Sequence, residues 1–289
     1  MTSQGSFRSL AALTGIAIAA AGLGVSAEAA QVVPAPTIAG PITVDGDPSD
    51  WTGIRGVTVP LTGKGGVSSV ALKAAVYGDR IYLLAVWDDP TEDTLFMPYK
   101  WDRASKSYRR IRVMEDRLAV TLRISGDFTG NMVDGSAFEA DTWHWMAAGS
   151  NPAGIAHDKY WRVGPTPFPK AKAIRNMEGK TIYILRISDE GGPLHRPVTY
   201  DSRVKDVMPS YEINKGVQGS IADVKAKGVW RDGRWYVEMT RKLDTGNIDD
   251  TVIPARGSVD FGVALLNAVA GGSHSYSAKL VLKTGVPPS

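Results

Sequence analysis

The sequence predicts an all-β protein, an antiparallel β-sandwich with long loop insertions, preceded by a cleavable signal peptide. Three observations predict it. Short runs alternate apolar and polar residues, turn dipeptides recur at the spacing of a sandwich, and no stretch of the 289 residues sustains an amphipathic period of 3.6. A hydrophobic content of 43% against 22% charge supplies enough apolar material to bury a core.

Residues 1–29 read as an address. Arg8 is followed by an apolar Ala- and Gly-rich run over 10–25, and Ala27-Glu28-Ala29 gives the small-x-small pattern of a cleavage site. The run is shorter than the roughly 20 residues that cross a bilayer, so the sequence predicts export to the periplasm or medium and no stable membrane insertion. Residues 30–40 form a Pro/Ala-rich lead-in, and patterned sequence fills 41–285 as one domain. Within it, 69–77 and 81–87 flank Gly78-Asp79 as a hairpin, and 227–230 and 235–239 flank Asp232-Gly233 as a second. Residues 117–124, 181–185, 258–266 and 275–283 complete the predicted strands. Two segments, 88–115 and 126–179, carry little strand pattern but many Met, Trp and His residues, and read as long ordered loops of functional importance.

The composition excludes several classes. Lys and Arg number 33 against 30 Asp and Glu with no basic block, which argues against nucleic acid as a partner. The absence of cysteine excludes disulfides, thiolate zinc sites, iron–sulfur clusters and covalent haem attachment. No nucleophile elbow, Walker loop or metalloprotease His pair is present; Gly63-Lys64-Gly65-Gly66 lacks the Walker spacing. The chain therefore reads as a non-enzyme whose metal, if any, is held by His, Met, Lys or carboxylates. Its four histidines are His144, His157, His195 and His274.

Five segments in order carry a family resemblance: Asp45-Gly46-Asp47-Pro48-Ser49-Asp50-Trp51, Val86-Trp87-Asp88-Asp89, Glu115-Asp116-Arg117-Leu118, Asp141-Thr142-Trp143-His144-Trp145, and Gly233 through Leu243. Together they resemble the haem-binding domain of the ethylbenzene dehydrogenase γ-subunit family, over roughly residues 40–285. Its relatives include the γ-subunits of dimethylsulfide dehydrogenase, selenate reductase and chlorate reductase. The resemblance implies one non-covalent haem b, electron transfer rather than catalysis, and a redox partner that is a molybdenum-type oxidoreductase or a cytochrome.

It also implies a ligand set. Iron in that family sits between a Met and a Lys. Met132 holds the Met place, while the Lys place is taken by His274, with Lys279 as the alternative; His144, beside the Trp-x-Trp element, is the rival ligand. Trp143, His144 and Trp145 join Met132 and His274 as cofactor-binding candidates, the tryptophans as core and pocket wall. Arg109, Arg110, Arg112, Arg241 and Lys242 are candidate partners for the propionates. Met/His ligation is chemically sound, because imidazole sheds its proton near pH 6.5 whereas Lys needs roughly pH 10. A carbohydrate-binding sandwich module is the alternative reading, since the opening motif also occurs there; it expects a colourless protein with aromatics exposed in a row. A fold that has lost its haem is the third.

Overall fold

The computed structural model describes residues 30–131, 133–176, 178–268 and 273–287. The predicted signal peptide, Met132 and Gly271-Gly272 lie outside the described residues. In chain order the strands are β1 Gln31–Pro36, β2 Val57–Pro60, β3 Thr62–Gly63, β4 Ser69–Tyr77, β5 Arg80–Asp88, β6 Tyr99–Asp102, β7 Ser107–Arg110, β8 Arg117–Gly126, β9 Phe138–Met146 and β10 His157–Gly164. They continue as β11 Lys172–Arg175, β12 Thr181–Ser188, β13 His195–Pro197, β14 Val207–Met208, β15 Tyr211–Ile213, β16 Lys225–Arg231, β17 Arg234–Lys242, β18 Gly257–Leu266, β19 Ser275–Tyr276 and β20 Leu280–Val286. The only helices among the described residues are three single-turn 3-10 segments, so the all-β expectation holds.

Two sheets pack face to face. The larger runs β1-β20-β18-β8-β9-β10-β12-β11, with β19 and β3 attached beside β18; the smaller runs β16-β17-β5-β4-β2. Both predicted hairpins form in the smaller sheet, with Gly78 and Gly233 at φ +57° and +76° in their turns. Alternation then decides the core. Leu118, Val120, Leu122, Trp143 and Trp145 point from the large sheet onto Leu83, Trp87, Trp235, Val237 and Met239 of the small one. Trp145 stands edge-on to Trp235 at 5.0 Å and to Trp87 at 6.2 Å. A fully buried side chain of this kind stabilises by roughly 1.5–3 kcal/mol. Gly228 faces this cluster because a Cβ there would sit 2.2 Å from Trp145 Cζ2.

The shared motifs turn out to be fasteners. Trp51 is buried and its Nε1 donates to Glu238 Oε1 at 2.7 Å, while Glu238 Oε2 accepts from the Asp45 and Gly46 amides. Trp235 Nε1 donates to Asp116 Oδ2 at 2.9 Å, and Glu115 accepts from the amides of Ala148 and Gly149. Each ties a loop to a core strand.

Three expectations about elements need correction. The stretch 126–179 is not one long loop, since β9 and β10 inside it are central strands of the large sheet. Their pattern is muted because both faces are covered and the core face carries Asp141 and Asp158. The lead-in 30–40 contains β1, which pairs in parallel with β20 at the sheet edge, where Pro34 and Pro36 are tolerated. The predicted strand 275–283 is split, because Ser277 turns its hydroxyl and amide back onto Val263 and separates β19 from β20.

Candidate functional site

The outer face of the large sheet, turned away from the core, carries His144 and borders a slot lined by His274. In the central rows, register sets Gly262, Thr121, Thr142, Lys159 and Ser188 side by side, and next to them Ala264, Ala119, His144 and His157. The floor near β18 and β8 is thus Gly, Ala and Thr, which leaves room above the sheet. The loop between β8 and β9 roofs it at one end. Phe128, Gly130, Asn131 and Val133 of this loop, with Thr121, Gly262, Ala264, Arg186, His274 and Tyr276, line a narrow slot that opens to the surface.

The loop is held down by shape and by local hydrogen bonds. Gly130, at φ +87°, passes so close to β20 that a Cβ would lie 2.6 Å from the Lys279 amide nitrogen, and a Cβ on Gly262 would press on Phe128 at 3.3 Å. Asn131 Oδ1 accepts from the Val133 amide at 3.1 Å, and Asn176 Nδ2 donates to the Val133 carbonyl at 2.9 Å. Both chain neighbours of Met132 therefore line the slot.

His274 lines the same slot. Its position is set by β19, whose Ser275 and Tyr276 pair with Gly63 and Thr62 on one side and with Leu265 and Ala264 on the other. The glycines of the 63–66 run serve this approach: a Cβ on Gly65 would fall 2.1 Å from the Ser275 nitrogen, and one on Gly63 2.4 Å from the His274 carbonyl. That run is a backbone-docking loop rather than a phosphate cradle. The ring of Tyr276 lies 5.6 Å from that of His274.

Beyond the slot, the same face is basic. Lys159 Nζ lies 3.0 Å from His144 Nδ1. Burial, reinforced by Lys159 and Arg117, holds His144 well below the usual histidine range. It is therefore neutral, with Nδ1 engaged by the Lys159 side chain. Burial and the nearby Arg117 and Arg186 push Lys159 down to about 8, and burial with Lys159 and His195 takes His157 to about 3. Arg186 stacks over Trp161 at 4.5 Å. Among the described residues Glu115 pairs with Arg117 at 3.0 Å, and Glu115 and Asp189 partly offset the charge around Lys159. An anion on this face would meet donors already desolvated.

Other predicted residues fall elsewhere. Trp143 and Trp145 point into the core, on the opposite face of β9 from His144, so they wall the sandwich and not the slot. Lys279 is not deep in a strand on a face opposite His274; it precedes β20 and pairs with Asp260 at 3.7 Å, partly exposed. Arg241 is fully buried in an ion pair with Asp141, which removes it as a propionate partner. Arg109 and Arg110 lie exposed on the β6–β7 hairpin, and His195 is exposed on β13. Sequence reasoning missed Lys159 and Arg186. Only their even-odd placement on β10 and β12 points to them, and the sequence pattern of those strands resembles a loop or a shorter run.

A model of the ethylbenzene dehydrogenase family matches residues 47–277. No curated protein matches. Among solved structures, a carbohydrate binding module family 9 from Caldicellulosiruptor kristjanssonii in complex with glucose is 11% identical with a TM-score of 0.39, covering 88% of this chain and 97% of that one. The same module in complex with cellotriose is 10% identical with a TM-score of 0.39, over 90% of this chain and 99% of that one.

Proposed function

The chain belongs to the ethylbenzene dehydrogenase family, and from that premise we propose that it is an exported b-type haem protein or subunit that passes electrons to or from a partner oxidoreductase or cytochrome. The observation that carries the reading is the slot on the outer face of the large sheet, lined by both neighbours of Met132 and by His274 over a floor of Gly262, Thr121 and Ala264. A flat ligand needs such a floor, and axial ligation needs donors on segments that meet across it.

In this reading Met132 and His274 would hold the iron. His274 is preferred over His144 because it lines the slot, whereas the Nδ1 of His144 is already engaged by Lys159. Lys159 and Arg186 are the propionate partners, in place of the exposed or ion-paired arginines. A haem bound between two axial side chains supplies one-electron exchange without an open coordination site. The protein's own contribution is to keep water off the floor with Phe128 and Val133 and to hold neutral nitrogen and compensating charge in place.

The carbohydrate alternative expects a row of exposed aromatics. Six of the eight tryptophans, Trp51, Trp87, Trp143, Trp145, Trp161 and Trp235, are buried, and Trp101 and Trp230 are half-buried. The haem reading is tested by purifying the exported protein from a haem-replete host. A Soret band whose pigment extracts into acidified organic solvent supports it. A colourless preparation that also fails to take up added haem contradicts it.

A further inference from the structure

On the core side of the same strands lies a cluster that the haem reading does not use. Asp141 of β9, Asp158 of β10 and Asp250 of the loop between β17 and β18 bring one carboxylate oxygen each within 4.8 Å of one another. All three side chains are buried, at 0%, 0% and 2% exposure. Arg241 of β17 reaches into the group: Nη1 pairs with Asp141 and lies 3.4 Å from Asp250 Oδ1 and 3.9 Å from Asp158 Oδ2. Arg241 Nη2 donates to the Thr251 carbonyl, and the Thr251 amide donates to Asp141 Oδ2 at 3.0 Å.

One guanidinium against three carboxyl groups leaves two of them without a counter-charge when ionised, on side chains no more than 2% exposed. Buried charge of this kind is costly unless paired. Among the described residues Asp141 Oδ1, Asp158 Oδ2 and Asp250 Oδ1 accept no hydrogen bond, the last two meeting Arg241 Nη1 only at 3.9 and 3.4 Å. Asp189, itself buried, stands near the group with no side-chain donor among the described residues. Asp189 interacts electrostatically with Asp141, Asp158 and Asp250, and Asp249 and Asp223 add to the acidic side. The nearby Lys225 ammonium is turned to the Ala222 carbonyl.

We propose that Asp141, Asp158 and Asp250 form a binding site for one hard divalent cation, calcium in chemical preference, set beside Arg241 in the sandwich interior. A divalent ion matches the two uncompensated charges, and oxygen donors with no nitrogen or sulfur among them select a hard cation. Three carboxylates from separate segments suit the loose, oxygen-rich shell of calcium better than the strict octahedron of magnesium. Bound there, the ion fastens the loop after β17 in the small sheet to β9 and β10 in the large one.

The test uses the exported full chain, stripped with EGTA and then titrated with calcium, and it does not depend on haem content. Thermal melting should rise saturably, by roughly 5–10 °C at a hundredfold excess over Kd. Terbium offers a second readout, because Trp143 lies against Arg241, with the guanidinium 5.0 Å from its ring. Excitation of tryptophan should sensitise terbium emission, and calcium should compete it away. Asp158→Asn should lose both responses, whereas Asp260→Asn, at the surface pair with Arg123 and Lys279, should keep them. A wild-type protein with the same melting temperature in EGTA and in excess calcium overturns the proposal, as does undiminished binding by Asp158→Asn. If Asp158→Asn fails to fold, the wild-type titration decides alone.

Discussion

The two faces of β9 and β10 are made of alternate residues of the same strands, and they could hardly differ more. Thr142, His144, His157 and Lys159 face outward among cations, whereas Asp141, Trp143, Trp145 and Asp158 face inward among carboxylates and indoles. Strand period alone sorts them. The outer face gathers cations, small residues near β18 and β8, and Trp161 under Arg186. The inner face gathers bulk and a single buried guanidinium, the profile of a clamp between sheets. A pair such as Asp158 and Lys159, adjacent in sequence, therefore serves opposite ends of the molecule's chemistry.

Breaking the inner face should have the largest effect. Arg241→Met leaves three buried carboxylates facing one another, and removal of one partner from a buried ionic group costs about 3–5 kcal/mol. Urea denaturation at pH 7 should show that loss, and a change under about 1 kcal/mol would mean the cluster is better hydrated than its burial implies.

A smaller effect is expected at Asp116, on the core edge behind Trp235. Burial, with Asp89 and Asp93 nearby, pushes its carboxyl up to about 7. Because the folded value exceeds the unfolded one, folding binds a proton between about pH 4 and pH 7. The stability it contributes is complete below about pH 4 and lost as pH rises through 7. Asp116→Asn keeps an acceptor for Trp235 and should flatten the decline between pH 5 and 8 by about 1–2 kcal/mol, after discounting for solvent screening. An unchanged slope would place the proton elsewhere.

The smallest effect on stability, and the most specific one, belongs to the outer face. Lys159→Met and Arg186→Gln should change unfolding free energy by less than about 1 kcal/mol while weakening haem retention about tenfold each, the worth of one charge-assisted hydrogen bond. Competition with apomyoglobin measures this. Equal retention by both variants would separate the basic patch from the ligand.

The strands that read cleanly in the sequence are those with one covered, apolar face. Residues 69–77 match β4 end to end, and 258–266 nearly match β18. β9 and β10 were hidden because their core face carries Asp141 and Asp158 and their outer face carries Ala140, Met146 and Trp161, so alternation gives no polarity contrast. The site was legible in part. Linear order pointed to His274 and to the loop around Met132, but the cations came from cross-strand register, which one sequence does not display. Trp143 and His144 were grouped because they are neighbours in the chain, and neighbours in a strand face apart.

The central claim is that the outer face, through His274, holds haem iron. It is tested most directly by comparing the optical spectra of haem-loaded wild type, His274→Ala and His144→Ala at neutral pH. The account predicts a low-spin spectrum for wild type and His144→Ala, and a high-spin spectrum or haem loss for His274→Ala. A low-spin His274→Ala beside a high-spin His144→Ala would contradict it and move the ligand to the Trp-x-Trp strand.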